Sequence, residues 1–199
     1  MTEPIHFLHP SLWERLSRLD PEEVSKRAKV DSEKGTYLIR FLNELYRIDP
    51  HERKFELLDP PLSQNPPSVE LQVALIIYLL NAQDIPLAGK WVQGKGLKGG
   101  IRFFASHPFP LEPLLERYGR DPEAFLERAF LLGGEREKFG DAGVRFLALP
   151  RVPICLVLWK GDEEFEATIS VLFDATADRH LPLDALYGLV MEICRRMSD

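Results

Sequence analysis

Asp174, Asp178 and His180 stand close together where a β-rich run ends and an apolar-periodic helix begins. A carboxylate beside an imidazole can pass protons or hold a metal, because the imidazole titrates near neutral pH. Strand ends often carry such groups, since the scaffold fixes them while the loop stays open. The spacing matches no specific signature, and acids that lead into a helix also serve as caps. Asp174 and His180 are therefore the candidate acid and base, with a helix-entry loop as the competing reading.

The string Gly94-Lys-Gly-Leu-Lys-Gly-Gly100 is the second feature with chemical content. Glycines let backbone N–H groups approach an anion, and Lys95 and Lys98 add charge. Gly94, Gly96 and Gly99 match GxGxxG, but Ile101-Arg-Phe-Phe104 after them reads as a strand, whereas the dinucleotide-binding pattern requires a helix there. A hairpin loop is preferred to a nucleotide cradle. Trp91 borders this loop and, with Trp159, Phe103 and Phe104, is a candidate wall of an apolar pocket; core packing is the alternative. The candidate ligand-binding set is thus Trp91, Gly99, Gly100, Asp174 and His180.

Other polar groups carry less. Asp162-Glu163-Glu164 offers oxygen ligands for a hard cation but reads as solvated acids of a hairpin tip. His6, His9, His51 and His107 are isolated loop residues, and Ser63, Ser106 and Ser170 lack the strand–turn–helix context of a hydrolase nucleophile. Cys155 and Cys194 form neither a CxxC pair nor a disulfide framework, so they read as small buried hydrophobes, and no metal site is expected.

These residues need elements to place them. Two short helices are expected in residues 1–30: Leu12, Leu16 and Leu19 share a face, and Asp20-Pro21-Glu22-Glu23 is a helix start. Thr36 to Asp59 reads as an antiparallel meander, followed by a proline-rich connector from Pro60 to Pro67. Ser68 to Ala82 reads as a central helix, apolar on nearly every face. Helices are expected around Leu111–Tyr118 and after Asp121-Pro122-Glu123. The C-terminal part gives strands at Val144–Leu149, Pro153–Trp159 and Phe165–Phe173, then a helix from Pro182 to Arg196. Strands joined by short turns, interrupted by runs of helices, predict an α+β fold in one domain, mainly an antiparallel sheet with packed helices, the core spanning 36–199.

The bulk properties narrow the class. A chain of 199 residues that is 45% hydrophobic and 28% charged can build a core without disulfides or metals. The net charge of −6 argues against nucleic acid as a partner. The densest basic group, Lys90, Lys95, Lys98 and Arg102, is too sparse for a polybasic arm. Met1 to His6 shows no secretory pattern and no apolar run approaches a membrane span, so a cytoplasmic location and no membrane partner are expected.

Three strings stand together: Pro86-Leu-Ala-Gly-Lys-Trp91 with Gly99-Gly100 and Phe103-Phe104; Leu149-Pro-Arg-Val-Pro153 leading to Leu158-Trp-Lys-Gly-Asp-Glu-Glu-Phe165; and Leu172-Phe-Asp-Ala175 before Leu181-Pro182. In this combination the chain resembles the bacterial and archaeal family described as domain of unknown function 3786, from about Tyr37 to the last helix. The family is common in anaerobes, and some members resemble fusions to a four-cysteine iron–sulfur module that this chain lacks. The resemblance brings no catalytic residues. It implies a non-catalytic module that binds a cofactor or partner in anaerobic redox or one-carbon metabolism, with the cofactor unidentified. The alternatives are a small enzyme using Asp174 and His180, and a structural or interaction subunit without ligand.

Overall fold

A computed structural model describes residues 8–60 and 66–199. The expectations for Met1 to His6, for Ser63 and for the middle of the proline-rich connector lie outside these residues. Among the described residues no helix is long and apolar enough to cross a membrane.

The chain opens with helices α1 (Pro10–Ser17) and α2 (Pro21–Ala28). Asp20 caps α2, accepting the Glu22 N–H at 3.1 Å, with proline in the first helical turn, as its sequence predicts. Strands β1 (Asp31–Glu33), β2 (Thr36–Phe41), β3 (Glu44–Asp49) and β4 (Lys54–Leu57) then form a four-stranded antiparallel meander in chain order. The alternation of the strands buries Tyr37, Ile39 and Phe41 on β2 and Tyr46 and Ile48 on β3.

Helix α3 (Val69–Asn81) follows, capped by Ser68. It packs against α1 and the last helix, and Leu71, Leu75, Ile76 and Leu79 are fully buried. Each such side chain contributes about 1.5–3 kcal/mol of apolar burial. An irregular segment from Ala82 to Lys90 leads to β5 (Trp91–Gln93), a 3-10 turn at Gly94–Gly96 and helix α4 (Gly100–Ser106).

Helices α5 (Glu112–Tyr118) and α6 (Pro122–Leu131) precede strands β6 (Glu135–Glu137), β7 (Ala142–Leu149), β8 (Val152–Trp159) and β9 (Thr168–Asp174). These build a second antiparallel sheet in the order β5-β9-β8-β7-β6. Central β8 is buried from Val152 to Leu158 on both faces, as its unbroken apolar run requires. The chain ends in a short helix α7 (Ala177–His180) and the long α8 (Leu183–Ser198). One apolar core runs through both sheets, where β2 meets β7.

Two expectations are corrected. Ile101-Arg-Phe-Phe104 is helical, because Gly99 at φ 80° breaks the chain direction and starts α4. Phe165 is not in a strand; it is 71% exposed in the turn before β9, whose first residue is Thr168. The expected α+β fold of antiparallel strands with packed helices is found, its strands forming two sheets.

Candidate functional site

The three strings converge on the irregular segment from Ala82 to Trp91. From beneath, Arg151 fills the two-residue turn between β7 and β8 and is only 5% exposed. Its guanidinium donates to the Ile85 carbonyl at 2.6 Å, to Asp84 Oδ1 at 2.5 Å and to the Arg27 carbonyl at 2.7 Å. Arg27 in turn donates to the carbonyls of Leu79 and Ala82 at 2.6 and 2.9 Å. Together they satisfy carbonyls at and beyond the end of α3 that no helical bond can reach.

Asp174 holds the other end. At the last position of β9 it accepts the N–H groups of Ala88 at 3.0 Å and Gly89 at 2.8 Å. It also accepts the Thr176 N–H at 3.0 Å and hydroxyl at 2.6 Å. Burial pushes this carboxyl up, but those hydrogen bonds outweigh it, so it lies below the ordinary carboxylate range. The Ala175 N–H closes the segment on the Lys90 carbonyl at 2.9 Å. Trp91, half-buried, sits directly opposite Asp174 in the β5–β9 register.

His180, on α7, lies under the middle of this arrangement and is fully buried. Its Nδ1 accepts the Gln83 N–H at 3.3 Å, which leaves the ring proton on Nε2. Nε2 has no partner among the described residues. Burial, and then the Arg151 charge, push this imidazole down to about 4. It is neutral at physiological pH.

The glycine-rich string lies beside it. Asp178 accepts the Lys98 N–H at 2.8 Å and ties the turn to α7. Gly100 is obligatory on space: a Cβ there would lie 1.9 Å from the Gly94 carbonyl oxygen. Gly99, exposed at φ 80°, adopts the left-handed conformation that side chains resist. The context of GxGxxG is therefore strand, turn and helix after all, but β5 runs antiparallel to β9 and α4 is short, so no βαβ unit forms.

The structure thus brings Trp91, Gly99, Gly100, Asp174 and His180 to one edge of the five-stranded sheet. It separates Trp159 from them: Trp159 pairs with Thr168, six residues along β9 from Asp174, or about 20 Å in an extended strand. Phe103 and Phe104 pack with Phe109 and Tyr187 in an aromatic cluster beside Phe173. A groove of about 570 Å³ opens between this cluster and β9, with Lys95, Ile101 and Phe104 on its wall.

The charge on this edge is distinctive. From Ile85 to Leu111 there is no aspartate or glutamate, in a chain with 31 of them. Lys90, Lys95, Lys98 and Arg102 are all exposed, and among the described residues none is in an ion pair. Among the described residues no group of three His, Cys, Asp or Glu side chains could hold a metal. Cys155 and Cys194 are free and buried, their thiols pushed up to about 12 by burial. At the tip, Asp162 accepts the N–H groups of Glu164 and Phe165 and forms the turn.

The family model described as "Domain of unknown function (DUF3786)" matches residues 20–196, and the chain belongs to that family. No curated protein and no solved structure matches it.

Proposed function

We propose that the chain is a non-catalytic binding module, and that its binding face is the edge of the five-stranded sheet formed by residues 86–90, β5, the glycine-rich turn and α4. It takes a largely apolar ligand or partner that carries an anionic group. The observation that carries this reading is a division of labour among the polar residues. Asp174 and His180 are buried beneath the edge and are used on backbone groups of the 82–91 segment. The cations above them are exposed and, among the described residues, in no ion pair. Such an arrangement suits anion recognition next to apolar surface. An acid–base enzyme needs a group that reaches its substrate, and Asp174 is 3% exposed and His180 0%. A setting in anaerobic redox or one-carbon metabolism rests on the family resemblance alone.

The test is native mass spectrometry and affinity capture of the chain purified from a host of the family's kind. Wild type is compared with the Lys95→Glu, Arg102→Glu double variant. A bound mass or specific partner present in wild type and lost in a normally folded variant supports the reading. A bound species that the variant retains contradicts the placement of the face.

A further inference from the structure

Strand β9 lacks a neighbouring strand along half of one edge. On one side β8 flanks it throughout, from Trp159 opposite Thr168 to Ile154 opposite Phe173. On the other side β5 covers only Leu172, Phe173 and Asp174. Among the described residues no strand continues β5 alongside Thr168–Val171.

The register fixes where the backbone groups of this stretch point. The Ala175 N–H donates to the Lys90 carbonyl, so Lys90 and Ala175 form a hydrogen-bonded pair. Antiparallel pairs alternate, which makes Val92 and Phe173 the next such pair. Phe173, Val171 and Ile169 therefore aim their N–H and C=O groups to this side, and only Phe173 meets a neighbouring strand. Thr168-Ile-Ser-Val171 contains no lysine or proline, the usual guards of an exposed edge, and three of its four residues are β-branched.

The groove lies along this edge. Ile169, Ser170 and Val171 all border it, and three consecutive residues of a strand share its edge, not one face. Across it stand Phe104 and Ile101, which is 76% exposed. Four extended residues span about 13 Å, the reach of the open stretch. Lys95 lines the groove where β5 stops, and among the described residues no aspartate or glutamate borders it.

Resting on the binding-module reading, we infer that the groove takes an extended segment of a partner protein, which adds to the five-stranded sheet beside β9 beyond the end of β5. Its backbone pairs with Ile169 and Val171. Its apolar side chains, at alternate positions, meet Ile101 and Phe104, and a carboxylate lies at the Lys95 end. Among the described residues Lys95 is the one charged side chain that borders the groove, so the site reads the polarity of the segment.

The probes are two eight-residue peptides of alternating valine and threonine, one with two glutamates in its N-terminal half and one with two in its C-terminal half. Each is titrated into the full-length, nitrogen-15-labelled protein. One of the two should shift and protect the amides of Ile169 and Val171. N-methylating that peptide at its β9-facing amides should weaken binding about tenfold, the worth of one or two net hydrogen bonds, while methylating the alternate set changes it little. Lys95→Glu should weaken it by a similar factor. If neither peptide protects Ile169 and Val171 at millimolar concentration, or if both methylation patterns act alike, strand addition is wrong. If strand addition fails yet Lys95→Glu, Arg102→Glu still abolishes a copurifying species, the binding face stands without it. If both fail, the face itself is wrong.

Discussion

Arg151 and Asp174 hold the two ends of one irregular segment: the arginine takes the carbonyl of Ile85 and the carboxylate of Asp84, and the aspartate takes the N–H groups of Ala88 and Gly89. The two residues come from different strings of the sequence, and the segment they share is the third. These contacts tie the strings to one another and give the segment a fixed shape without any helix or strand.

Asp174→Asn tests the aspartate's share. Both its oxygens accept hydrogen bonds, so an amide nitrogen in place of either one faces a donor. The variant should lose about 1–3 kcal/mol in denaturant unfolding. An unchanged midpoint contradicts the assignment.

His180 predicts a pH window. Its folded pKa lies at about 4, below the ordinary 6.5, so between these values the unfolded chain binds the extra proton. Its contribution is complete above pH 6.5 and is lost as the pH falls toward 4, by up to about 1.4 kcal/mol per pH unit. His180→Asn keeps an acceptor for the Gln83 N–H but cannot titrate. Urea midpoints measured from pH 7 to 4.5 should fall less steeply in the variant; parallel curves would show that His180 does not titrate as described.

Much of this was legible in the sequence. The helix start at Asp20, the meander and the buried run of β8 follow from local pattern, and Asp174 and His180 stand out by their place at a strand exit. Arg151 was readable only as a charge between two prolines within an apolar run, which marks a buried cation without naming its acceptors. α4 reads as a strand because Ile and two Phe outweigh four residues of periodicity; its true state is set by the positive φ of Gly99 and the contact of Gly100 with Gly94, which are tertiary. The three-residue strands β1, β5 and β6 are too short to show a period. The open edge of β9 has no sequence signal, because it is defined by where another strand stops.

Gly100→Ala should cost about 1–3 kcal/mol, since its Cβ would meet the Gly94 backbone and not a flexible side chain. Gly99→Ala meets only Leu183 at 3.7 Å and should cost about 1 kcal/mol through its φ alone. Thermal unfolding of the two variants should rank them in that order; the reverse order would show that the turn is built differently.

A buried ionic cluster ties the four-stranded sheet to α8. Arg196 donates to Glu44 at 2.8 Å and to Glu192 at 2.9 Å, and Tyr46 donates to Glu44 at 2.7 Å. Arg196→Met removes the cation between two buried carboxylates and should cost about 3–5 kcal/mol. A loss below 1 kcal/mol in chemical denaturation would show that the cluster is solvated.

Residue-resolved amide exchange of the wild-type protein tests most directly whether the 82–91 segment is held from beneath. The amides of Gln83, Ala88 and Gly89 should exchange as slowly as those of β8, which is paired on both sides, and Asp174→Asn should release Ala88 and Gly89 while Gln83, held by His180, stays protected. Exchange of all three in wild type as fast as in the exposed turn at 162–166 would contradict the account.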